Sequence, residues 1–114
     1  MNYKRSDRLA AVIQEEMSNV LLHGTKDPAF GFITITKVKV TDDNRHAKIY
    51  YSVLGDEKKK QESQEALERA KGFFRSELGH RIRIRFVPTV TFVYDDSTEY
   101  ADHIEQLIKQ INKE

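Results

Sequence analysis

Cysteine is absent from the chain, which excludes disulfides, thiolate catalysis and zinc-ribbon ligands and fits a reducing compartment. There are only two prolines and five glycines. None of the glycines builds a Walker A loop, a GxGxxG turn or a GxSxG elbow. Long apolar runs are missing as well. The start, MNYKRSDRLAAV, has no hydrophobic signal core, and no stretch nears the ~18 apolar residues of a membrane span. A soluble cytoplasmic protein without membrane contact is expected. The four histidines, His23, His46, His80 and His103, lack metal-ligand spacing and belong at the surface. The carboxylate pairs Asp42-Asp43 and Asp95-Asp96 suit a turn and a helix start better than acid–base work. No nucleophile, base and pocket can be assembled, so the chain is expected to be no enzyme and to need no cofactor, metal or small-molecule substrate.

A net charge of one sign is also missing: 19 Lys and Arg against 18 Asp and Glu leave +1. The distribution is uneven. Residues 69–85 carry Arg69, Lys71, Arg75, Arg81, Arg83 and Arg85 against Glu77 alone. Residues 95–114 hold six acids and two lysines. Such a dipolar chain attracts phosphate on its basic side. With 114 residues, 39% hydrophobic and 32% charged, a single domain over 1–114 with a modest core is expected.

Apolar spacing lays out the elements. Leu9, Val12, Ile13, Met17, Val20 and Leu21 form a helical stripe over 6–23, with Ser6 as cap and Gly24 just past the end. Lys4, Arg5 and Arg8 crowd its first turn, where the helix dipole disfavours bases. They are either a solvated helix start or an anion-facing group. A loop around Asp27-Pro28 leads to a strand over 32–41. There the apolar parity slips between Ile35 and Val38, through a bulge near Thr36-Lys37 or through burial on both faces. After a turn at Asp42-Asp43-Asn44, a second strand over 45–54 alternates cleanly and pairs antiparallel with the first. Residues 55–62, with Lys58-Lys59-Lys60, read as a polar loop, solvated rather than phosphate-binding.

A helix from about Ser63 should bend at Ala70-Lys71-Gly72, where the missing Cβ of Gly72 lets backbone approach backbone or a ligand. On that reading Gly72→Ala costs fold stability. A second helix carries Phe74, Leu78 and Ile82. RIRIRF over 81–86 also fits period two, with Ile82, Ile84 and Phe86 inward and three arginines outward, unless 81–83 are still helical. Pro88 opens a last strand over 89–94. A final helix over 97–112, with Asp96 to Glu99 at capping-box spacing, aligns Tyr100, Ile104, Leu107, Ile108 and Ile111. That stripe faces the core or forms a seam for a partner helix.

The remaining chemistry is phosphate contact. The candidate RNA-binding residues are Lys4, Arg5, Arg8, Arg69, Lys71, Arg75, Arg81, Arg83 and Arg85. Tyr50, Phe73, Phe74 and Phe86 are available for base stacking.

Several stretches then carry a family likeness. They are Arg5-Ser6-Asp7-Arg8-Leu9, Lys26-Asp27-Pro28, Ile33 to Val38, Ala47 to Ser52, Ala70-Lys71-Gly72-Phe73-Phe74-Arg75, Arg83 to Pro88, and Thr91 to Asp95. In order and spacing the chain resembles bacterial ribosome-binding factor A over nearly its whole length. The resemblance implies an α+β, type II KH-like domain. It would run helix, two strands, helix, kink, helix, strand, with a three-stranded sheet and an added C-terminal helix. It places Ala70, Lys71 and Gly72 at an interhelical kink in place of the GxxG loop that clamps nucleic acid in ordinary KH domains. It further implies a monomeric, non-catalytic factor that binds the free small (30S) ribosomal subunit and its 16S ribosomal RNA. Such a factor supports late processing of that RNA and growth in the cold. The rival expectation is a protein-interaction module acting through a sheet edge or the C-terminal helix. Two features depart from the family. Ala29 follows Lys26-Asp27-Pro28 where an arginine is common, which removes one RNA contact. The sequence stops soon after the last helix, without the longer tail that some relatives carry, so a tail function is not carried over to it.

Overall fold

The computed structural model describes residues 4–96 and 105–111. Helix α1 spans Arg5–Asn19 and runs on into a π-helical turn at Val20–Gly24. The cap falls at Lys4 instead of Ser6, which is buried within the first turn. Asp7 reaches back to accept the Lys4 N–H at 3.2 Å, so an acid supplies what the helix start requires. Ile13, Met17, Val20 and Leu21 are buried as the spacing predicts, whereas Val12 is exposed. Gly24 ends the π turn and Thr25 caps it.

A 3-10 turn at Pro28–Phe32 follows, capped by the Asp27 carboxylate, which accepts the Ala29 N–H at 3.0 Å. Strands β1, Ile33–Val40, and β2, His46–Val53, pair antiparallel. Their register slips between Ile35 and Lys37, which resolves the parity change as a bulge. Ile33 and Ile35 before it, and Val38 and Val40 after it, all turn to the core. Strand β3, Thr89–Tyr94, runs parallel to β2, giving the sheet order β1-β2-β3.

Between β2 and β3 lie α2, Glu57–Arg69, and α3, Lys71–Arg81. The segment read as a polar loop is therefore mostly helix. Asp56 caps α2 by accepting the Lys59 N–H at 2.9 Å, and the three lysines occupy its first turns. The break comes at Ala70, with φ −92° and ψ 5°. The Ala70 carbonyl still accepts the Phe74 N–H at 2.9 Å, so the chain re-enters a helix at once. Gly72 plays no steric part: a Cβ there would meet nothing within 4 Å. No other backbone among the described residues approaches Gly72, because that face of α3 is open. The bend instead lets Ala66 and Leu67 on α2, and Phe74 and Leu78 on α3, all reach the core.

The three helices cover one face of the sheet. Phe74 lies at their centre, edge-on to Phe30 (5.4 Å) and to Phe92 (5.7 Å). Tyr51 meets Phe92 and Tyr94 in the same way. Such pairs add about 0.5–1.5 kcal/mol beyond their buried area. Residues 82–88 are irregular, so RIRIRF is not a strand. Arg81 ends α3, Ile82 is buried, and Phe86 is 70% exposed. Val87 packs on the core in place of Phe86. Residues 105–111 are helical, and Leu107, Ile108 and Ile111 are exposed rather than core-facing. Tyr100 and Ile104, and the capping box beyond Asp96, lie outside the described residues.

Candidate nucleic-acid interface

The register brings together bases that are far apart in sequence. Lys4 reaches Asp42 in the β1–β2 turn, 3.7 Å away, so the start of α1 lies at that end of the sheet. Thr89 donates its N–H to the Arg45 carbonyl at 2.8 Å, so β3 begins at the same end. Just before it, the Val87 carbonyl accepts from Arg75 Nη2 at 3.2 Å. The α1 bases Lys4, Arg5 and Arg8 therefore share one end of the sheet with Arg75 and the approach to β3. Arg45 is exposed there too. A lone base beside an acidic turn carries no sequence signal, and only the β2–β3 pairing gives Arg45 its basic neighbours.

The candidates differ in how far they are occupied. Arg5, Arg8, Arg69, Arg83 and Arg85 are exposed and make no ion pair among the described residues. Lys4 is tied to Asp42 and Lys71 to Glu68 at 3.3 Å, both on the surface where such pairs exchange readily. Arg81 is held twice, by Glu16 at 3.4 Å and Glu77 at 3.3 Å. Its guanidinium joins α3 to α1. At the kink Ala70 and Lys71 are half-buried and Gly72 is exposed.

Of the stacking candidates, Phe74 is fully buried and belongs to the core. Phe73 is partly exposed, and Phe86 stands out beside the Arg85 guanidinium, 5.7 Å from its ring. Tyr50 lies on the sheet face away from the helices, with Lys37 Nζ 4.5 Å from its ring centre.

The acids show turn chemistry. Asp43 accepts from the Thr41 hydroxyl at 2.6 Å and the Arg45 N–H at 3.0 Å. These bonds hold its carboxyl below the ordinary aspartate range. Burial raises the Tyr51 phenol and keeps it neutral in the core. Among the described residues no group of three His, Asp or Glu side chains could hold a metal ion, and no helix is long and apolar enough to cross a membrane. A depression between Pro28, Phe32, Lys59 and Glu62 measures about 190 Å³, and two larger hollows of about 450 and 570 Å³ are open surface grooves along α2, lined by polar side chains such as Gln61 and Gln64.

Three strands covered on one face by helices, with a kinked helix pair between β2 and β3, make this a KH-like domain. A family model described as Ribosome-binding factor A matches residues 5–108. The chain belongs to that family. It is 48% identical to ribosome-binding factor A of Geobacter metallireducens over 112 residues, covering 98% of this chain and 95% of the relative. It is 44% identical to that of Natranaerobius thermophilus, covering 98% and 86%. The solution NMR structure of a Thermotoga maritima ribosome binding factor A superimposes with a TM-score of 0.71 at 33% identity, covering 87% of this chain and 95% of that one. A Thermus thermophilus ribosome binding factor A, fitted as a homology model into a cryo-EM map of a 30S complex, aligns with a TM-score of 0.63 at 21% identity. It covers 74% and 88% of the two chains.

Proposed function

We propose that this chain is a non-catalytic factor that binds the small ribosomal subunit during its maturation. The observation that carries this reading is the 48% identity, over 98% of the chain, to a ribosome-binding factor A. The Thermus relative's fit to a 30S complex is consistent with it. The contacts fall on 16S ribosomal RNA, mainly its phosphates, through Lys4, Arg5, Arg8, Arg69, Lys71, Arg75, Arg83 and Arg85. Arg81 serves chiefly as the clamp between α3 and α1. The kink at Ala70-Lys71-Gly72 sets the angle between the basic helix ends and does not itself clamp the backbone. Phosphate contacts fix position and read shape more than sequence. The factor acts as one domain and a monomer in the cytoplasm, without cofactor or turnover. It supports late processing of the RNA ends and growth in the cold.

Arg8→Glu with Arg83→Glu tests this. Both side chains are exposed and make no ion pair among the described residues, so the melting temperature should stay within about 2 °C while cosedimentation with small subunits is lost. One observation favours a second reading: Leu107, Ile108 and Ile111 stand exposed on the helix over 105–111. If the arginine variant still binds and Leu107→Lys with Ile111→Lys does not, the contact is to protein and the RNA reading falls.

A further inference from the structure

The outward face of the sheet carries its own charge pattern. Beyond the bulge, Lys37 and Lys39 turn away from the core, and the β1–β2 register sets Lys37 beside Tyr50 and Lys39 directly opposite Lys48. All three lysines are exposed. None makes an ion pair among the described residues. Like charges facing each other across two strands destabilise a sheet, and among the described residues no acid forms an ion pair with them. Among the described residues the acid on this face is Asp95, next to β3, which accepts from the Thr36 hydroxyl at 2.6 Å. With nothing better to hold, the ammonium groups gather over the aromatic ring at their centre. Lys37 Nζ lies 4.5 Å and Lys39 Nζ 5.8 Å from the Tyr50 centroid. That contact is weak at an exposed site and yields readily to a phosphate. Exposed Thr91 and half-buried Val93 extend the face along β3, beside Lys48 and Tyr50 respectively.

We propose that this open sheet face is a second nucleic-acid site, which takes an unpaired RNA strand. Its phosphates pair with Lys37, Lys39 and Lys48, and one base stacks on Tyr50 as the lysine heads lift away. Neighbouring strands lie ~4.8 Å apart, so the three-stranded face accommodates one extended strand better than a duplex. A central aromatic ringed by bases is the arrangement that unpaired RNA uses. The face has too few apolar side chains for a membrane surface. It lies across the sheet from the helices that carry Arg69, Lys71 and Arg75, so one RNA element does not cover both surfaces. The chain would instead hold two RNA segments at once, a structured one on the helix side and an unpaired one on the sheet. This rests on the RNA-contacting reading above but uses none of the same residues.

The test measures binding of fluorescein-labelled oligouridine, twelve nucleotides long, by anisotropy. The triple variant Lys37→Gln, Lys39→Gln, Lys48→Gln should lose at least about tenfold in affinity. Its log–log salt slope should become shallower by about 2, from three single-strand phosphates. Tyr50→Leu should lose about tenfold with an unchanged salt slope. In the absence of RNA the triple variant should melt no lower than the wild type, since opposed charges are removed. The Arg8→Glu, Arg83→Glu variant removes helix-side phosphate contacts, so it should weaken oligouridine binding less than the triple variant does and leave the effect of Tyr50→Leu unchanged. If it does so and also still binds small subunits, the helix-side reading fails and the sheet site stands. Equal oligouridine binding by the wild type and the triple variant, or no wild-type binding below about 100 µM, overturns the sheet site. So does a triple variant that loses only an acidic protein partner.

Discussion

Gly55 has φ 136°, and a Cβ there would sit 2.9 Å from Lys59 Cβ and Cγ. Gly72 has helical neighbours and open space around it. The same substitution should therefore act in opposite directions. Gly55→Ala is expected to cost about 1–3 kcal/mol, from strained backbone and a clash at the start of α2. Gly72→Ala should be neutral, or stabilising by up to about 1 kcal/mol, because alanine loses less entropy in a helix. Urea melts of the two variants check this, and a Gly72→Ala that binds small subunits normally excludes a backbone clamp at the kink. Asp43 gives a pH readout. Its folded carboxyl titrates below the ordinary aspartate range, so its stabilisation is present above that range and is lost as pH falls through the lower, folded value. Asp43→Ala should melt below the wild type at pH 7, and the gap should close as the medium is acidified. A gap that does not narrow as the pH falls would assign the loss to something other than the charged turn.

At the scale of elements, α2 shows how capping and patterning compete. Residues 57–62 have no buried side chain, so hydrophobic periodicity is silent there and the stretch reads as a loop. The helix forms anyway because Asp56 caps it and Lys, Glu and Gln favour helix. Asp56→Ala should cost about 1 kcal/mol and fray the first turn, with faster amide exchange at Lys58, Lys59 and Lys60. Unchanged exchange would place the start of the helix under tertiary control. The kink shows the reverse. Ala66, Ala70, Phe74 and Leu78 are four residues apart, a stripe that one straight helix could carry. The break occurs because α2 packs against the Pro28–Phe32 turn while α3 packs against α1 and β3. Gly72 lowers the local helix preference without dictating the angle.

For the whole molecule, charge placement matters more than the total. With about five phosphates neutralised, affinity for structured RNA should fall with salt at a log–log slope of roughly −3.5 to −4.5. A flat dependence would remove the electrostatic basis of the interface.

Some of this protein was determined by its sequence alone. Alternation in β2, the parity slip at Thr36-Lys37 and the stripe of α1 are local patterns, set by which side chains avoid water within a few residues. Nine candidate bases could likewise be named one at a time. What they do together was decided only by tertiary structure. It tied Arg81 to Glu16 across two helices and turned Phe86 outward while Val87 filled its place. It also set Lys39 opposite Lys48 on the sheet face away from α1, α2 and α3. Those relations depend on strand register and helix crossing, which arise from packing between segments distant in sequence, and no local spacing encodes them.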